Sequence, residues 1–151
     1  MTSYAPCPTR RSRSFTAGLP LGIGMMAAID EIVFHQLLAW HHFVDRGTSA
    51  FALVSDGILH AGELIFMVLG FFLFGRLWRD RALDKRSAWA GFLTGLGGFQ
   101  LFDGVVNHKL LRLHQVRYVE TLWLYDLVWI GTGVTLLMAG LCLARRFPSL
   151  R

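Results

Sequence analysis

The sequence predicts an all-α integral membrane protein, a four-helix bundle made of two tandem helical-pair repeats. Three observations carry that expectation. The chain is 54% hydrophobic and only 17% charged, with a mean hydropathy of +0.45, outside the range of soluble domains. Its apolar residues gather in four segments, 17–43, 50–75, 88–113 and 121–144, each long enough for the ~20 helical residues that cross a ~30 Å hydrocarbon core. One pattern also occurs twice. Asp30, His35 and His41 follow D-x4-H-x5-H, and so do Asp103, His108 and His114, seventy-three positions later. Gly18, Gly22 and Gly24 match Gly91, Gly95 and Gly97 at the same offset. A soluble bundle is disfavoured, because runs such as Leu64–Phe74 have no polar face to show to water.

The elements follow in chain order. Residues 1–14 read as a disordered basic leader, 15–78 as the first helical pair and 79–87 as a charged loop. Residues 88–146 read as the second pair and 147–151 as a tail. Pro20 is expected in the first turn of the first helix, where its missing N–H costs nothing. Gly18 and Gly22 are four apart, as are Gly91 and Gly95, so the first and third segments are expected to touch through these small-residue faces. Short turns are expected at Asp45–Ser49 and Val116–Thr121. Arg10-Arg11-Ser-Arg-Ser-Phe15 resembles the start of a signal peptide, but Asp30 and Glu31 interrupt the apolar core that a cleaved signal needs.

The net charge of +5 is unevenly placed. Arg10, Arg11 and Arg13 precede the first segment. Arg76, Arg79, Arg81, Lys85 and Arg86 lie between the second and third, and Arg145, Arg146 and Arg151 follow the fourth. The positive-inside rule then puts both termini and the middle loop in the cytoplasm, with the chain multi-pass in a bacterial inner (plasma) membrane. The basic clusters are read as topology signals facing anionic lipid, so the bilayer is the expected partner and nucleic acid is not. Cys7 and Cys142 fall on the cytoplasmic side, where no structural disulfide is expected. Trp40, Trp78, Trp123 and Trp129 read as interfacial anchors or packing residues.

Counting from the outer ends of ideal helices, His35, His60, His108, Asp56 and Asp126 come out about 9–15 Å deep. Asp30, Glu31, Glu63 and Asp103 form a layer about 18–20 Å deep, and His41 and His114 reach the outer surface. Ionisable groups at such depth are costly unless paired or bound, so the cluster is a functional candidate. On the second segment Asp56, His60 and Glu63 share a helical face; on the first, Glu31, His35 and His42 form a stripe. Asp30 and His41 fall about 140° from His35 at the α-helical turn angle.

Imidazole with carboxylate suits zinc, iron, manganese or copper(II). The expected ligands are His35, His60, His108, Asp56 and Asp126. Asp30, Glu31, Glu63 and Asp103 would orient them, and His41, His42 and His114 would form an outer entrance. Haem between His35 and His108 is a lesser reading, set against carboxylates at the same depth. Proton or ion movement through the Asp/His chain is another. The plain alternative is that the groups only set helix packing, with Asp30 paired to His108 and Asp103 to His35. No phosphate loop, H-E-x-x-H or nucleophile–base pattern supports a reaction class, so catalytic residues are unassigned and an enzyme is neither indicated nor excluded.

The stretch Phe102-Asp-Gly-Val-Val-Asn-His-Lys-Leu-Leu-Arg-Leu-His-Gln-Val-Arg117, with Tyr125-Asp-Leu-Val-Trp129 after it and Phe34-His-Gln-Leu-Leu-Ala-Trp-His-His42 before it, resembles a bacterial family of predicted membrane proteins of unknown function, DUF2243. The resemblance implies a four-span inner-membrane protein. It also implies a part in metal or haem handling for respiratory complexes. A chain this small is compatible with a homodimer or a membrane-complex partner.

Overall fold

The structure is a computed structural model and describes residues 9–145. Every regular element among them is helical. Helix α1 spans Arg10–Ile29 and continues without a break into a π-helical segment, Asp30–Leu37. Helix α2 spans Ser49–Arg79. Helix α3, Lys85–Phe102, runs into a second π-helical segment, Asp103–Leu110, and α4 spans Leu122–Ala144.

The first helix starts earlier than the sequence reading had it. The Thr9 side chain caps α1 by accepting from the Ser12 N–H, and the start is tied to the loop before α3. Arg10 donates to the Ala82 and Leu83 carbonyls at 2.9 and 2.7 Å, and the Asp84 N–H donates to Ser14 Oγ at 2.9 Å. Arg10–Ser14 are therefore docked helix and not loose leader, while the expectation for residues 1–8 and for the tail from 146 lies outside the described residues. Pro20 falls inside α1 as a consequence, where it removes one backbone donor.

Both π segments end in the same way. Ala39 and Arg112, again seventy-three positions apart, take positive φ angles of 48° and 53°, the left-handed geometry that terminates helices. The Leu38 N–H closes on the Val33 carbonyl and the Leu111 N–H on the Val106 carbonyl. Helices expected to run to 43 and 113 thus stop at Leu37 and Leu110. The residues that follow turn back toward the protein instead of climbing to the surface.

Packing follows the glycines. The α1–α3 contact is the most extensive, with α2 laid on α1 and α4 on α3. A Cβ on Gly18 would collide with the Ala88 carbonyl, and one on Gly91 with the Phe15 carbonyl, so the two backbones touch where a side chain would part them. No comparable contact joins α2 to α4. The helices therefore succeed one another as α2–α1–α3–α4. Among the described residues three helices are long and apolar enough to cross a membrane, Arg10–Leu37, Ser49–Arg79 and Leu122–Ala144. Helix α2 in particular exposes Leu53, Ile58, Ile65, Phe71 and Phe72, a face suited to lipid and not to water.

Candidate metal centre

The two π segments decide which side chains meet. Backbone bonding from i to i+5 widens the helix, so residues five apart share a face instead of diverging by the α-helical angle. Asp30 and His35 thereby come together, Oδ2 to Nε2 at 3.7 Å, and Asp103 and His108 do so at 2.9 Å. Each aspartate pairs within its own motif, not across to the other as the packing alternative had it. The π geometry removes the angular separation that an ideal α-helix would impose.

The returning loops bring in the other two histidines. His41 and His114, placed at an outer entrance by the ideal-helix depth count, are 5% and 1% exposed and lie at the centre. Their rings stack with centroids 4.5 Å apart and planes within 6° of parallel. His35 packs edge-on against His41 at 4.6 Å, and His108 against His114 at 4.5 Å. All six residues of the two motifs are buried together.

Hydrogen bonds fix how these rings face. His41 Nδ1–H donates to the Val116 carbonyl at 3.0 Å, and His114 Nδ1–H donates to the Phe43 carbonyl at 2.8 Å. A carbonyl only accepts, so each proton is on Nδ1 and each Nε2 carries the lone pair. Phe43 and Val116 are themselves seventy-three apart, and each ring is oriented by the backbone of the other motif's loop. His35 Nδ1–H donates to Glu31 Oε2 at 2.7 Å. Glu31 Oε1 accepts from Gln36, and Asp56 Oδ1 lies 3.4 Å from the same ring nitrogen. Orientation of one imidazole nitrogen by a carbonyl or carboxylate is the arrangement that surrounds metal-bound histidine.

The inward nitrogens are short of partners. His35 Nε2, His41 Nε2 and Asp30 Oδ2 are buried without a hydrogen bond among the described residues, whereas groups that only glue helices together are ordinarily satisfied. His108 Nε2 and His114 Nε2 stand 2.9 Å apart, close to the roughly 2.9–3.4 Å between neighbouring nitrogens bound at about 2.1 Å to one ion. Three sets of donors are near enough to hold an ion: His35, His41 and His114; Asp103, His108 and His114; and Glu31, His35 and Asp56. Among the described residues five carboxyl groups, Asp30, Glu31, Asp56, Glu63 and Asp103, are buried, and no lysine or arginine is. Carboxyl groups gathered this closely are met either by protonation or by bound cations.

The expected ligand set is thus divided. His35, His108 and Asp56 belong to the cluster. His60 does not: its side chain is 51% exposed and its Nδ1 pairs with Glu63 at 2.6 Å, because it projects from the flank of the α2 face that buries Asp56 and Glu63. Asp126 is taken by Lys109 at 2.6 Å. Position 109 corresponds to Gln36, so the lysine draws this carboxylate into an ion pair of its own. His42 donates to Asp56 at 2.6 Å and keeps a partly exposed edge, consistent with a place at the rim. The two motifs also differ at Glu31, whose counterpart is Gly104. A Cβ on Gly104 would press on Trp129, and His108 Nδ1 has no carboxylate to receive its proton. Haem fits poorly, since the His41 and His114 rings fill the space between His35 and His108.

Beside the cluster, the Arg117 guanidinium lies 4.8 Å from the centroid of the Trp40 ring and donates to the Tyr125 hydroxyl at 2.7 Å. This cation–π contact holds the loop after the second motif against the aromatic residues next to the first.

No curated protein and no solved structure matches the chain. Residues 17–147 match the family described as "Predicted membrane protein (DUF2243)", a span that takes in both motifs and all four α-helices apart from the start of the first. The chain belongs to that family of membrane proteins.

Proposed function

We propose that the chain is a four-span inner-membrane protein of two tandem helical pairs, with both termini cytoplasmic, that binds a divalent transition metal in the buried histidine–aspartate cluster. One observation carries the metal reading. His35 and His41, held at Nδ1 by a carboxylate and a carbonyl, turn Nε2 lone pairs inward, where no hydrogen-bond donor meets them among the described residues. Zinc, iron, manganese and copper(II) all suit this donor set. The matched motif spacing and the equivalent ends of the two π segments support the tandem reading. Helix α3, flanked by α1 and α4, presents less surface to lipid than α2 does, which supports counting it as a span despite its lower apolarity. A role in metal handling for respiratory complexes is the physiological extension of the same reading.

The test is elemental analysis of protein purified in mild detergent without an affinity metal, followed by titration with added Zn(II), Mn(II) and Cu(II). A near-stoichiometric ion, or uptake that His41→Gln and His114→Gln weaken in folded protein, is the expected result. Folded wild type that carries no ion and takes up none sinks the metal reading. Reporter fusions at the two termini check the orientation, and a periplasmic signal from either overturns it.

A further inference from the structure

The geometry points to two ions in this cluster, one held by Asp30, His35 and His41 and the other by Asp103, His108 and His114. The inference rests on the metal reading above and adds its stoichiometry and ligand assignment. An imidazole lone pair lies in the plane of its ring, so a bound ion must lie close to that plane. The His41 and His114 planes are stacked and within 6° of parallel, with centroids 4.5 Å apart. Nearly parallel planes set one above the other do not meet within reach of a bound ion, so the set His35, His41 and His114, although its donor atoms are near enough, cannot direct both the His41 and the His114 lone pair at one ion. Each of these histidines therefore needs an ion of its own.

The remaining ligands divide the same way. Within a motif the ring planes cross steeply and closely, 73° at 4.6 Å for His35 and His41 and 74° at 4.5 Å for His108 and His114. Crossed planes meet along a line on which one ion serves both rings. Apart from the stacked His41–His114 pair, the pairings between motifs are longer, 5.9 Å for His35 with His114 and 6.2 Å for His41 with His108. The aspartates also stay with their own motif, at 3.7 and 2.9 Å from His35 and His108 Nε2. Asp103, His108 and His114 present three donor atoms within 4.8 Å of one another; in the first motif Asp30 Oδ2 lies 3.7 Å from His35 Nε2 and the His35 ring packs edge-on against His41 at 4.6 Å.

Two histidines and one carboxylate, with further positions open, form the set that suits Fe(II) and its first-row neighbours. Charge argues for the same number. Each divalent ion can offset two ionised carboxyl groups, so two ions match a cluster of five buried carboxyls more closely than one does. The cofactor class is a pair of divalent first-row ions at about the 4 Å spacing of two-metal sites.

The experiment is a Mn(II) titration of the full chain in detergent, read by bound ion per chain and by electron paramagnetic resonance, for wild type, Asp30→Asn and Asp103→Asn. Both substitutions keep side-chain size and remove a buried charge, and the wild-type stoichiometry needs no variant at all. Wild type is expected to bind two ions with an exchange-coupled Mn(II) pair, and each variant to retain one ion with an uncoupled signal. A wild type that saturates at one ion overturns the inference while leaving the metal reading intact. A folded wild type that binds none overturns both. Two ions in wild type but none in either variant overturns the division of ligands between the motifs.

Discussion

Glu31→Gln separates a metal centre from a packing cluster by the sign of two effects. Glu31 accepts from His35 Nδ1 at 2.7 Å and from Gln36 Nε2 at 2.7 Å. A glutamine can accept from one of these and must turn its NH2 toward the other. Loss of a carboxylate behind a metal-bound histidine typically weakens the ion 10–100-fold, about 1.4–2.8 kcal/mol. At a free ion concentration 100 times the wild-type Kd, the ion stabilises wild type by about 2.7 kcal/mol and the variant by about 0.4–1.4 kcal/mol. At about 2–4 °C per kcal/mol for a chain of this size, the ion-induced rise in Tm falls from about 5–11 °C to about 1–6 °C. The ion-free protein should move the other way or stay put. Glu31 lies among four other buried carboxylates with no buried lysine or arginine, so removing its charge offsets the roughly 1 kcal/mol hydrogen bond it gives up. The assay is thermal unfolding in detergent with and without saturating Zn(II). An ion-free Tm that drops sharply while the ion-induced rise stays at the wild-type value would refute the reasoning, and would make Glu31 a packing residue.

Other perturbations reach other parts of the structure. Gly95→Leu drives a side chain into the Leu19 carbonyl and should cost upwards of about 3 kcal/mol, seen as lost thermal stability. Gly98→Ala, with nothing within 4 Å of its Cβ, should be neutral or gain up to about 1 kcal/mol from helix propensity. Lys109→Met strands Asp126 and should lower stability by about 1–3 kcal/mol, between the values for exposed and buried pairs. Its bound-ion count should match wild type, and a lost ion would restore Asp126 to the ligand set. Burial raises the Asp84 carboxyl, but hydrogen bonds from Ser87 and the charge of Arg11 outweigh it and hold the group below its ordinary value. A carboxyl depressed in the folded state contributes its stability in full above about pH 4 and loses it as pH falls through the folded value. Asp84→Asn should therefore flatten the decline in Tm below pH 4, and an unchanged slope would exclude the contribution.

The repeated D-x4-H-x5-H spacing identified all six central residues, and the glycine spacing identified the α1–α3 contact. Both were legible because they rest on residue identity at fixed intervals. The roles assigned within the motif were less legible, for one geometric reason. Depth and facing were counted along ideal α-helices, whereas the structure widens to π geometry at each aspartate and stops six residues short of 43 in the first helix. That change swings His41 and His114 from the surface to the centre and reunites Asp30 with His35. Nothing in local propensity marks a π segment, although a ligand triad whose members fall on opposing α-helical faces is itself a hint that the helix is not α. His60 was misplaced for a different reason. A shared face with Asp56 and Glu63 does not say which edge of that face the neighbouring helix covers. Asp126 was lost to Lys109, a charge that the sequence showed but that was assigned to the surface.

The exchange of hydrogen bonds between the loops, His41 to the Val116 carbonyl and His114 to the Phe43 carbonyl, sets an order on biosynthesis. The first motif leaves the ribosome seventy-three residues before the second, about 4–15 s at ordinary elongation rates. Throughout that interval His41 lacks the acceptor that fixes its tautomer and its aim. A chain truncated before the second motif would carry His35, His41, His42 and His60 without the carbonyl that aligns the His41 ring. The crossed bonds thus align the His41 and His114 rings only after both motifs and the loops that follow them have been made.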